Sequence, residues 1–99
     1  MERIVTQGLL YDFYGELLTD HQKEVYEDFV YNDYSVSEIA ESYGISRQAA
    51  SDLLKRCSKI LEGYENKLGL VSRFENIKQR IEANDKLTDA EKKALLEEL

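Results

Sequence analysis

Between positions 47 and 59 the chain places Arg47, Gln48, Ser51, Lys55, Arg56 and Lys59 at spacings that a helix gathers onto one side. The chemistry available there is recognition rather than catalysis. Guanidinium and ammonium groups neutralise phosphates, a glutamine amide offers the donor and acceptor that match the edge of adenine, and a serine hydroxyl serves in either role. Asp52 lies inside the same arc. Segment 46–59 therefore sets four cations against one carboxylate, a local net of +3, in a chain whose formal net charge is -7. The same residues also compose an ordinary solvated helix face, with Asp52 pairing Lys55 at i+3 or Arg56 at i+4 for roughly 0.2–0.5 kcal/mol.

Such a face recognises a duplex only if its helix is held at a steep angle to a neighbour. The stretch "SVSEIAESYGISRQAASDLLKRC", Ser35 to Cys57, carries the signals for that joint. Ser35 and Glu38 form a capping-box pattern that opens a short helix with Val36, Ile39 and Ala40 inward. Gly44 accepts the left-handed conformation that ends it, and Ser46 caps the next helix. That helix places Ala50, Leu53, Leu54, Cys57, Ile60 and Leu61 on one continuous apolar face opposite the polar arc. Ala40 and Ala50 permit close approach, and Ile39, Ile45 and Leu54 are spaced to form the small core that fixes the angle. The pattern predicts a helix-turn-helix.

Upstream, Arg3 to Leu18 reads as a helix apolar around most of its circumference. Thr19 and Gln22 then open a second helix that buries Val25, Tyr26, Phe29 and Val30 and ends near Asn32 and Asp33. Downstream, Gly63 and Gly69 weaken the long helix, with a break expected near Gly69. Leu70, Phe74, Ile77 and Ile81 mark a fifth helix, and Thr88 with Glu91 opens a sixth that carries Leu95, Leu96 and Leu99. The absence of proline and of alternating β-branched runs predicts an all-α, winged-helix-free fold. It divides into a helix-turn-helix domain over residues 1–69 and a C-terminal helical extension over residues 70–99. The apolar residues Leu9, Leu10, Phe13, Tyr14, Phe74, Ile77 and Ile81 exceed what one small core absorbs. They predict a homodimer with these residues at its interface.

Several classes of function lose support at once. There is no glycine-rich phosphate loop, no nucleophile beside a base and no acid pair on a polar cleft, so neither an enzyme nor a cofactor is expected. His21 stands without ligand-spaced neighbours, and Cys57, the single cysteine, lies on an apolar helix face as a small core residue. No metal site is expected. The apolar runs are far shorter than the ~20 residues that span a bilayer, which predicts no membrane insertion and a cytoplasmic protein. Residues 1–45 carry two cations against ten carboxylates, a net of -8. That field opposes indiscriminate nucleic-acid binding, so any nonspecific DNA affinity is expected to be weak.

The stretches "LTDHQKEVYEDFV" and "SEIAESYGISRQAASDLLKRC" give residues 18–60 a resemblance to region 4 of bacterial sigma factors. From "LLYDFYGELLTDHQ" through "YENKLGLVSRFENIKQRI" the chain is similar to the YlxM-like family of small helix-turn-helix proteins. The sigma-type resemblance implies that Arg47, Gln48, Ser51 and Lys55 lie on bases and phosphates. The YlxM-like resemblance implies a regulatory or accessory protein of the signal recognition particle pathway, inferred from the family's gene neighbourhood, with components of that particle as partners. Two functions of different class follow. One is a DNA-binding regulator using the helix over residues 46–60; the other is a module that docks on a protein or structured RNA of the targeting machinery.

Overall fold

Three of the helix starts among the described residues are closed by reciprocal capping boxes. In a computed structural model that describes residues 3–99, with side chains from Val5 onward, Thr19, Ser35 and Thr88 each accept from the amide three residues ahead. Gln22, Glu38 and Glu91 return the bond to the capping residue's own amide. Each box satisfies two donors that a helix start would otherwise leave open. The described residues form six α-helices and no strand: α1 Arg3–Tyr14, α2 Asp20–Val30, α3 Val36–Tyr43, α4 Arg47–Leu68, α5 Leu70–Glu82 and α6 Asp89–Glu97.

The first helix is shorter than its apolar run. Instead of continuing to Leu18, α1 ends at Tyr14 and tightens into a 3-10 turn over Gly15–Leu17. Gly15 is the physical reason: a Cβ there would lie 2.9 Å from the Tyr11 ring, so only glycine lets the backbone close over that side chain. Leu18 then turns into extended geometry and delivers the chain to the Thr19 cap.

The chain divides into two compact units, one up to Leu68 and one from Gly69 to Leu99. In the first, α1, α2 and α3 all pack on α4. Leu10, Tyr11, Tyr14 and Leu18 meet Val25, Tyr26, Ile39, Ala40, Ala50, Leu54, Cys57 and Leu61 in its core. Leu10 and Tyr14, expected at a dimer interface, are thus 6% and 1% exposed and already used inside the unit. The residues i, i+3, i+4 and i+7 along α1 point inward, whereas Val5 on its other side and Leu17 in the turn beyond it stay half exposed. Ile45 also departs from expectation. It sits in the turn, 36% exposed, leaving Ile39 and Leu54 to fix the interhelix angle.

Tyrosine hydroxyls tie these helices together. Tyr11 donates to Glu27 at 2.8 Å, Tyr14 to Glu65 at 2.6 Å, Tyr43 to Asp28 at 2.6 Å, and Tyr31 to Asp12. Desolvation, reinforced by the carboxylate partner, raises the pKa of Tyr11 and of Tyr43 well above the ordinary value of 10.0, and the same causes push that of Tyr31 up to about 12. The folded state therefore holds these phenols neutral beyond the pH at which an unfolded chain ionises them. Their stabilising contribution is complete below about pH 10 and is lost as pH rises toward 12 and beyond. Thermal melting between pH 8 and 11.5 is expected to show a falling Tm above pH 10. Replacing Tyr43 with Phe should lower the neutral-pH stability and make that alkaline fall shallower.

The second unit is a helical hairpin. Gly69 adopts the left-handed conformation, φ 63°, where the sequence marks a break. Thr88 caps α6, and the Lys92 ammonium donates to the Glu82 carbonyl at 2.9 Å. None of the residues in α5 or α6 is fully buried.

Candidate nucleic-acid interface

The joint between α3 and α4 is built from backbone hydrogen bonds. Gly44 takes φ 66° and ψ 34°, its amide returning to Ala40 and Glu41. The Ile45 amide reaches the Ala40 carbonyl at 3.0 Å, the six-to-one bond of a Schellman closure. Ser46 Oγ then accepts from the Ala49 amide at 3.0 Å and caps α4, which starts at the next residue, Arg47. A β-carbon at position 44 would meet nothing, so the need for glycine there is conformational rather than steric.

This joint exposes one side of α4 and buries the other. Ala50, Leu54, Cys57 and Leu61 are buried, with Leu53 and Ile60 half-buried at the margins. Arg47, Gln48, Lys55, Arg56 and Lys59 are exposed, and Ser51 is half-buried at the edge of the arc. All six residues singled out for nucleic acid thus lie on the outer side of one helix. Among the described residues, Arg47, Lys55, Arg56 and Lys59 hold no ion pair. Asp52 does not pair with Lys55 or Arg56; its Oδ1 instead accepts from Gln48 Nε2 at 3.0 Å, one turn back. The i, i+4 spacing of a glutamine and an aspartate is a legible signal for this bond.

Two clefts open beside the same helix. One, of about 300 Å³, is lined by Val36, Arg47, Gln48 and Ser51. The other, of about 360 Å³, is lined by Gln7, Phe29, Val36, Ser51, Leu54, Lys55 and Ser58. They share Val36 and Ser51, so a continuous groove follows α4 from its cationic start to the apolar Phe29 and Leu54. Behind it, Ser58 is buried and shares a hydrogen bond of 2.8 Å with the Tyr26 hydroxyl, while Gln7 Nε2 donates to Ser58 Oγ at 3.4 Å. Sequence periodicity did not single out Gln7, Val36 or Ser58 for this region. The available signal was a serine four residues after Leu54, at the rim of an apolar stripe.

The remaining candidates lie elsewhere. Cys57 is buried, and desolvation raises its thiol above the usual range, which makes it a poor nucleophile. His21 rests edge-on against Tyr43 with ring centroids 6.0 Å apart. Among the described residues no group of His, Cys, Asp and Glu is placed to hold a metal, and no helix is long and apolar enough to cross a membrane. Of the residues assigned to a dimer interface, Leu9, Leu10, Phe13 and Tyr14 belong to the first unit and Phe74, Ile77 and Ile81 to the second.

A family profile described as UPF0122, "Putative helix-turn-helix protein, YlxM / p13 like", matches residues 1–99. A UPF0122 protein of Caldanaerobacter subterraneus subsp. tengcongensis is 54% identical over 74 residues, covering 75% of this chain and 63% of that protein. The match thus spans less than two thirds of that relative's length. A UPF0122 protein of Geobacillus kaustophilus is 42% identical over 105 residues, covering 100% of this chain and 96% of its own. One from Bacillus licheniformis is 43% identical over 94 residues, 95% of this chain and 88% of that one.

Proposed function

Because the chain belongs to the UPF0122 family of YlxM / p13-like helix-turn-helix proteins, we propose that it is a regulator that docks α4 in the major groove of duplex DNA. The observation that carries this reading is the outer side of α4, where Arg47, Lys55, Arg56 and Lys59 stand exposed behind a Gly44 turn. These cations meet phosphates, while Gln48 and Ser51 reach base edges. The net charge of -7 keeps the nonspecific affinity micromolar or weaker at physiological salt. Titration of a labelled duplex between 50 and 200 mM salt tests this. Four phosphate contacts give a slope of log K against log salt of about -3.6, at -0.9 per contact. No binding at the low-salt end would sink the proposal.

A second reading draws on the groove beside α4, where Phe29, Val36 and Leu54 offer apolar surface next to Lys55. That surface suits a protein of the targeting machinery, and the YlxM-like resemblance supports placing the regulator in the signal recognition particle pathway, in the cytoplasm. Binding there would depend weakly on salt. Structured RNA would instead follow the steep dependence of the duplex.

The homodimer is part of the same proposal, since half-sites on DNA pair with two-fold proteins when the recognition helices stand ~34 Å apart. Supporting it are half-exposed Val5 on α1 and Leu17 in the turn that follows it, and Ile77 and Leu95 on helices that bury nothing fully. Sedimentation of the wild type at micromolar concentration is expected to give a dimer. Ile77→Glu should shift it toward monomer, and a monomeric wild type would remove this part of the proposal.

A further inference from the structure

We propose that Gln48 is the residue that reads a base in the duplex, that the base is adenine, and that Asp52 is its positioning residue. This rests on the DNA reading above and assigns a division of labour within the α4 surface. The Gln48 amide has two N–H donors and one carbonyl acceptor. One donor is committed to Asp52 Oδ1 at 3.0 Å. With the anti hydrogen held by Asp52, the syn N–H and the Oε1 acceptor are left as the pair that matches N7 and the N6 amino group of adenine in the major groove. Guanine presents two acceptors on that edge and leaves Oε1 facing a carbonyl oxygen. A glutamine free in solvent would lose its rotamer freedom on binding; here the hydrogen bond has already taken much of it in the unbound protein.

The surroundings fit a base edge better than a phosphate. Gln48 lines the cleft of about 300 Å³ with Val36, Arg47 and Ser51, space enough for the rim of a base pair. Val36 brings an apolar surface to the same cleft, suited to the 5-methyl group of the thymine that accompanies adenine. Asp52 carries a negative charge that repels phosphate oxygens, so beside it Gln48 is better placed for a base edge than for the backbone, while Arg47 at the start of α4 remains available to a phosphate. Lys55, Arg56 and Lys59 lie further along the helix and suit phosphates, which position a protein without specifying sequence. Asp52 thereby reduces the total attraction to DNA and at the same time sharpens what Gln48 selects.

The test is selection from a duplex pool randomised over one helical turn, with the full chain as wild type, Gln48→Ala, Asp52→Ala and Asp52→Asn. Wild type is expected to enrich an A·T pair at one position by about tenfold, within the range of a bidentate base contact. Gln48→Ala should erase that preference. Asp52→Ala should erase it as well while overall affinity holds or rises and the salt slope stays unchanged. Asp52→Asn keeps an oxygen acceptor without the charge and should restore the preference, which a merely structural or purely electrostatic role would not do. An Asp52→Ala protein that still selects the same pair overturns the positioning role, and a wild type that binds duplexes with a steep salt slope but no preference overturns base reading by Gln48. Failure of every variant to bind any duplex at low salt overturns the DNA reading and this inference with it.

Discussion

Reversing Lys55 and Arg56 together to glutamate is expected to flatten the salt dependence of DNA binding by nearly two, at about 0.9 per lost phosphate contact. Both side chains are exposed on α4 and, among the described residues, held in no ion pair, so the fold has no stake in their charge. Each reversal removes a contact and adds a repulsion. The net charge of the chain moves from -7 to -11, two units for each substitution. Affinity at low salt should fall but stay measurable, so that the flatter slope can be read, while the circular dichroism and melting temperature stay within error of the wild type. Lys23→Glu provides the control: Lys23 lies on α2, where it pairs with Glu16 at 3.0 Å, away from the proposed groove. If that single reversal weakens binding as much as the pair on α4 does, the attraction is a property of overall charge, and the assignment of α4 is wrong.

Local signals in the sequence carried most of the backbone. The three capping boxes, the Gly44 closure and the Gly69 break each depend on residues within a few positions of one another, so spacing alone located them. The outer residues of α4 were equally legible, since helical periodicity decides which side chains share a side. Contacts made across the fold were not legible. The end of α1 at Tyr14 depends on Gly15 lying against the Tyr11 ring, and the burial of Leu10 and Tyr14 depends on α4. Both residues look available for a partner until that helix is placed beside them.

The acidity of the chain shows the same boundary. Counted along the sequence, the carboxylates of residues 1–45 form a repulsive field facing any nucleic acid. In the folded protein Asp12, Glu27 and Asp28 also accept hydrogen bonds from tyrosine hydroxyls, as Glu65 does on α4. A share of the negative charge therefore serves to join helices. It needs no cationic ligand to account for it, and it lies on the ties behind α4 rather than among the residues of its outer side.

Leu61→Ala should be among the most destabilising single changes to the first unit. Leu61 is 0% exposed, on the turn of α4 between Ser58, which meets the Tyr26 hydroxyl, and Glu65, which accepts from Tyr14. Tyr64 on the same turn stacks on Tyr14 with ring centroids 6.1 Å apart. Removing the isobutyl group forfeits its transfer free energy and leaves a void that ring systems cannot collapse to fill, a loss of ~2–5 kcal/mol. Against a total stability of ~5–15 kcal/mol for a small domain, that is a large fraction. At ~4–8 °C per kcal/mol, the melting temperature should drop by ~8 °C or more. Ser58→Ala tests the same region through polarity. It leaves the buried Tyr26 hydroxyl without the partner seen here, for ~1–3 kcal/mol, with little change in volume. The order matters for the proposed function, because α1 and α2 hold the inner side of α4, opposite the outer side proposed to meet the duplex. If Leu61→Ala melts within 2 °C of the wild type, the packing of α1 on the second half of α4 is not what anchors α4, and its contacts with α2 and α3 must hold it.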